Sequence, residues 1–138
     1  MEKNIGKYGI LTYIPKNDLE QYVHKDDVEK LQTKWDNIKL CRAVDFENTF
    51  LILYNGDDYF RVTPILFNVK DPQPAFNFGD IVKEKTDLKR QGVIYHVCWH
   101  HEKKKVYYLL NINDKKSTKW NFDEDLELIK KNELYRAK

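Results

Sequence analysis

The chain has 138 residues, of which 41% are hydrophobic, 14% aromatic and 33% charged. That length makes one domain or two small ones, with enough bulky side chains to fill a core. The formal net charge of +2 excludes a dedicated DNA-packaging protein, which needs a far stronger basic balance.

In chain order, Tyr8 to Ile14 reads as a strand stopped by Pro15, and Leu19 to Val23 as a second short strand. Asp26 looks like a helix N-cap, with Glu29 at the capping-box position and Val23 placed to staple. Val28, Leu31 and Trp35 follow at helical spacing, which predicts a helix from Asp27 to about Trp35 with that face buried. Ile38, Leu40, Arg42, Val44 and Phe46 alternate with Lys39, Cys41, Ala43 and Asp45, the pattern of a strand with one wet face. Glu47-Asn48 turns it into Thr49–Tyr54, and Asn55-Gly56-Asp57 turns again into Tyr59–Val62. Asn-Gly between apolar runs is the strongest short hairpin signal. Residues 1–70 are therefore expected to form a helix packed on a three-stranded antiparallel meander, with Ile65–Phe67 folding back on it. Residues 71–75 read as a linker, because Pro72 and Pro74 stiffen an extended segment.

Residues 76–138 read as five strands. Ile81 and Val82 begin a short strand after Gly79-Asp80, and Lys83 to Gln91 reads as a polar loop. From Gly92, Val93, Tyr95, Val97 and Trp99 alternate with Ile94, His96, Cys98 and His100. Glu102-Lys103-Lys104 is a charged turn into Val106, Tyr108, Leu110 and Ile112. Asn113 to Lys116 has strong turn chemistry, Thr118, Trp120 and Phe122 make a third alternating strand, and Asp123-Glu124-Asp125 suits one helical turn before Leu126–Ile129.

With Gly79-Asp80-Ile81-Val82, the Gly92 strand opening and the turn before Leu126, this part resembles an SH3-like small barrel of the Tudor or KOW type. The resemblance covers roughly 55 residues, near the lower size at which a domain folds alone. Trp99-His100-His101, Tyr107-Tyr108 and Asp125-Leu126-Glu127-Leu128 also resemble a pattern in small bacterial proteins to which no function attaches. The fold class expected is α+β, mainly β, an N-terminal helix plus meander followed by a five-stranded barrel.

Residues 1–74 carry a net charge of −2 and residues 75–138 a net of +4. Two basic clusters stand out, Lys83 to Arg90 and Lys115 to Lys119, with Lys103–Lys105 as a third at the opposite hairpin end. Lys85, Lys89, Arg90, Lys115, Lys116 and Lys119 are the candidates for one patch. Tyr107 and Trp120 are the aromatic candidates for exposure, and the other barrel aromatics read as core. Exposed aromatics here would serve as a stacking platform or as a cage for a cationic side chain.

His96, Cys98 and His100 share one face of a strand, with His101 beside them, and imidazole and thiolate are zinc ligands. Alternate strand residues lie about 6.6 Å apart, too far for all three to meet one ion. No orienting group or oxyanion site for a nucleophile is visible. The chemistry thus reads as non-catalytic, with no cofactor and no metal. Two distant cysteines, the absence of an apolar leader and the lack of any apolar run of about 18 residues point to a cytoplasmic protein without a membrane span. The expected function is a binding module for another protein; small bacterial proteins of this composition include immunity proteins that neutralise toxins. Nucleic-acid binding through the basic loops and aromatics is the first alternative, and a Cys/His-dependent or metal-assisted enzyme the second.

Overall fold

The computed structural model describes residues 4–34 and 38–133. The chain divides into two compact units, Met1–Asp71 and Pro72–Lys138, and each builds its own antiparallel sheet. The protein is mainly β.

In the first unit, β1 (Tyr8–Leu11), β2 (Cys41–Glu47), β3 (Phe50–Tyr54), β4 (Tyr59–Val62) and β5 (Phe67–Val69) lie in the order β4-β3-β2-β1-β5. The sheet has five strands rather than three because β1 and β5 join the meander, with Gly9 opposite Val69 and Leu11 opposite Phe67. Gly9 permits that approach, since a Cβ there would run into the Asn68 carbonyl. Two short helices, α1 (Leu19–Tyr22) and α2 (Val28–Lys34), complete the unit.

Several sequence expectations change here. Leu19 to Val23 is not a strand: Leu19–Tyr22 is one helical turn, and Val23 then makes a single bridge to Val62. Leu19 and Val23, four residues apart, both enter the core, which a helical turn permits. Asp27, not Asp26, stands before α2, and its carbonyl accepts the Leu31 N–H at 2.9 Å. The Trp35 end of the expected helix lies outside the described residues. In β2 the register shifts between Ala43 and Asp45. Cys41 and Ala43 are therefore buried in the same core that Phe46 packs against, although strict alternation would put them on opposite faces. The loop after β3 runs from Asn55 to Asp58, and the Asn55 Oδ1 accepts the Asp57 and Asp58 N–H groups at 2.9 and 2.8 Å.

The second unit contains β6 (Ile81–Glu84), β7 (Gln91–His100), β8 (Lys105–Ile112), β9 (Lys115–Lys116), β10 (Asn121–Phe122) and β11 (Leu126–Lys130). Their order is β10-β8-β7-β6-β11, with β9 on the flank of β8. A 3-10 turn at Asp123–Asp125 carries the chain from β10 to β11. Where five strands were expected the sheet has six, because β9 adds to β8, and among the described residues no ladder joins β10 to β11.

Two further corrections place the site. The polar stretch from Lys83 is not all loop, because β6 extends through Glu84 and β7 begins at Gln91. The expected strand from Thr118 to Phe122 reduces to β10, preceded by β9, and residues 117–120 lie in no strand. The Ser117 N–H still donates to the Leu110 carbonyl at 2.8 Å, and side chains hold the rest of that segment, as described below. The turn between β8 and β9 is two residues, Asn113 and Asp114, both at positive φ (53° and 62°), which Asn and Asp tolerate best after glycine. β7 also changes register between Ile94 and His96, so Ile94, Val97 and Trp99 are buried together. His96, Cys98 and His100 lie on the other face, opposite Leu109, Tyr107 and Lys105.

The start and end of the second unit are tied together. The buried Asp80 carboxylate accepts the Asn77 N–H at 2.8 Å and the Asn132 N–H at 2.7 Å. Asn132 Nδ2 donates to the Phe78 carbonyl at 2.9 Å. Gly79, at φ 81°, leaves the space that the Asn132 amide fills. Tyr108 is fully buried and its hydroxyl accepts the Ala75 N–H at 3.0 Å while donating to Asp123 at 2.5 Å. Burial and the neighbouring Asp123 carboxylate push that phenol well above its usual range.

Candidate functional site

β10 lies beside β8 with Phe122 opposite Tyr107, and β7 on the other side puts Cys98 opposite Tyr107. This register gathers four rings. Trp120 stacks on Tyr107 with centroids 4.5 Å apart and planes inclined by 23°. His100 meets Trp120 edge to face at 5.6 Å, and Phe122 lies 6.1 Å from Tyr107. Trp120 is 51% exposed, whereas Tyr107 beneath it is 3% exposed. The Lys103 and Lys105 ammonium groups sit 5.1 and 4.9 Å from the Phe122 ring centre, within cation–π range. Lys105 also pairs with Glu124 at 2.6 Å. The Lys103 N–H donates to His100 Nδ1 at 3.1 Å, which fixes the ring on its turn.

Immediately before Trp120 the chain is held by a buried acid. The Glu84 side chain, 2% exposed, accepts from Arg90 Nε at 2.7 Å and from Lys119 Nζ at 2.9 Å. Arg90 reaches on to the Ser117 hydroxyl at 3.2 Å, and Tyr95 donates to the Ser117 carbonyl at 2.8 Å. Burial pushes the Glu84 carboxyl up, but the hydrogen bonds and charges of Arg90 and Lys119 outweigh it and leave the group below its usual range.

The sequence-predicted residues thus divide. Trp120 is exposed as expected of it. Tyr107 is not: it is the buried underside of the stack, covered by Trp120. Arg90 and Lys119 are engaged by Glu84 and do not stand as open charges. Lys85, Lys89, Lys115 and Lys116 are exposed. Lys116 lies over the Tyr95 ring at 5.4 Å, and Lys85 donates its backbone N–H to the Asp125 carbonyl. The β7–β8 register places Gln91 and β9 at one end and Lys105 at the other. The cations nearest the aromatic group are therefore Lys103 and Lys105, which the sequence reading ranked below the others. His100, Phe122, Lys103 and Lys105 were missed as a group because only strand register, not local sequence, brings them to Trp120.

The first unit has its own buried ion network. The Asp27 side chain, 5% exposed, accepts both the backbone N–H and Nε of Arg61 at 2.8 Å. Arg61 also reaches Glu47 at 3.1 Å. Burial raises the Asp27 carboxyl, and the bonds from Arg61 overcome that and hold it below the usual range. Lys30 donates to the Tyr59 carbonyl at 3.1 Å, and the His24 N–H to the Arg61 carbonyl at 2.8 Å. Together these groups occupy the outward edge of β4, which would otherwise offer a pairing template.

Residues 1–127 match the model of a family described as a family of unknown function, DUF6960. The chain belongs to DUF6960. The DUF6960 match spans both units and includes Asp27, Arg61, Glu84 and the whole Trp120 group, ending within β11. No curated protein and no solved structure matches the chain. Among the described residues of this DUF6960 chain, no three His, Cys, Asp or Glu side chains converge to hold a metal ion. None of its described helices is long and apolar enough to cross a membrane.

Proposed function

We propose that this protein is a non-catalytic cytoplasmic binding module that seats a protein partner on the Trp120 face of the second unit, and that this unit is a variant of the SH3-like small barrel. The strand order supports the fold reading, since the last strand returns through a 3-10 turn to pair with the first. The observation that carries the function is the half-exposed Trp120 stacked on a buried tyrosine. A large ring held rigid before binding loses little entropy on contact, and such residues dominate interface energies. Both cysteines are buried, which disfavours a thiol nucleophile.

The neutralised cations favour a protein over a nucleic acid. Arg90 and Lys119 face Glu84, and Lys105 faces Glu124, so three of the cations around Trp120 are not open to displace the counterions of a phosphate backbone, and the exposed Lys115 and Lys116 lie at the other end of β8 from Lys105. The test is a nuclease-treated pull-down from the source cell with the full chain, wild type beside Trp120→Ala. A specific protein band that the substitution removes is the expected result. Retention dominated by nuclease-sensitive material, with steep salt elution from heparin, would replace this reading with the nucleic-acid one.

A further inference from the structure

We infer that the Trp120 platform recognises an acidic peptide segment, with a carboxylate set against Lys103 and an apolar or aromatic side chain laid on Trp120. This rests on the binding-module reading and concerns the chemistry of the ligand.

An aromatic cluster on a small barrel suggests a cage for a cationic side chain, because ring faces attract cations. Here that attraction is already satisfied from within. Two ammonium groups, Lys103 and Lys105, lie over the Phe122 ring. An incoming lysine or arginine would meet the Lys103 charge at the rim of the group, and like-charge juxtaposition rejects a partner.

The acids close by do not reverse that balance, because each has an internal duty. Asp123 accepts the Tyr108 hydroxyl, Asp125 accepts the Phe122 N–H at 2.9 Å, and Glu124 accepts Lys105. Lys103 shares the Phe122 contact with Lys105 but, unlike Lys105, has no carboxylate within ion-pair distance among the described residues. Its ammonium keeps its donors for an anion. His100 adds a second donor: its Nδ1 accepts the Lys103 N–H, so the neutral ring carries its proton on Nε2. The platform therefore offers one aromatic face with the Lys103 ammonium at its rim. A polymer of evenly spaced phosphates would gain from a line of open cations, and Glu84 and Glu124 interrupt that line at Arg90, Lys119 and Lys105.

The experiment uses the full chain and three labelled probes of similar length: an alternating Glu/Tyr peptide, an alternating Lys/Tyr peptide and oligothymidylate. Binding is read by fluorescence anisotropy at fixed salt, with far-UV circular dichroism confirming that each variant is folded. The Glu/Tyr peptide should bind tightest. Trp120→Ala and Lys103→Glu should each weaken it about tenfold, Trp120→Phe should retain most of the binding, and Lys103→Glu should improve the Lys/Tyr peptide. Preference for the Lys/Tyr peptide that depends on Trp120 would overturn the acidic ligand while leaving the binding module intact. Tighter binding of oligothymidylate would overturn the peptide in favour of single-stranded nucleic acid. No binding, or binding indifferent to Trp120, would sink both the ligand and the module.

Discussion

Each unit buries an acid that its cations keep ionised, Asp27 in the first and Glu84 in the second, but the two acids act on different parts of the structure. Asp27 accepts a backbone N–H of the edge strand as well as the Arg61 side chain. Among the described residues Glu84 accepts side chains alone, those of Arg90 and Lys119. The first acid closes a sheet edge; the second pins a segment outside any strand just before the exposed tryptophan. The same chemistry thus serves the fold in one unit and the presentation of a surface residue in the other.

The contrast is broken most directly at Asp27. Asp27→Ala should destabilise the first unit by about 3 kcal/mol, because it leaves the strand N–H of Arg61 and its partly exposed guanidinium without their acceptor. Urea denaturation of the full chain checks this, and a loss below about 1 kcal/mol would mean that water replaces the carboxylate easily. Glu84→Gln should cost less, about 1–3 kcal/mol, because Arg90 and Lys119 are both partly exposed and can turn to solvent. That loss has a defined pH dependence. Since the folded pKa of Glu84 lies below its ordinary value, its stabilisation is present above the unfolded pKa of about 4.3 and disappears as pH falls through the folded value. Wild type and Glu84→Gln should therefore differ at pH 7 and converge in acid. A gap that persists unchanged at low pH would show that shape, not charge, is at work.

The surface substitutions come next. Trp120→Ala should cost about 1 kcal/mol in stability, the worth of one aromatic stack at a half-exposed position, while removing partner capture. A large stability loss would instead make Trp120 part of the core. The paired reversal Lys115→Glu and Lys116→Glu should shift stability by no more than about 0.5 kcal/mol and leave capture nearly intact. Capture lost equally in this variant and in Trp120→Ala would return function to the basic loops.

How much of this could be seen beforehand follows from what kind of signal each feature leaves. β7 and β8 were legible because apolar and aromatic residues alternate along them, and the Asn113-Asp114 turn was legible from its residue types. The register shifts in β2 and β7 were not, because one inserted residue exchanges faces without altering composition. Glu84 was hidden by its charge: it alternates with Val82 and so belongs to the inward face of β6, yet Lys83-Glu84-Lys85 reads locally as loop. Asp27 was passed over for Asp26 because its partner, Arg61, lies 34 residues away. Trp120 was found by its flanking lysines, but the ring beneath it and the correct lysines depended on a register that no neighbouring residue encodes.

Both sheets are completed by their final strand returning to their first, β5 onto β1 and β11 onto β6. In the second unit the Asp80–Asn132 tie, across 52 residues, finishes that closure. This arrangement sets an order on biosynthesis. A growing chain has every strand of the first sheet once Val69 has left the ribosome, whereas Asp80 waits for Asn132 with its carboxylate half satisfied. A pause in translation between β10 and β11 would leave β6 bare along one side at the moment when such edges recruit chaperones or neighbouring chains.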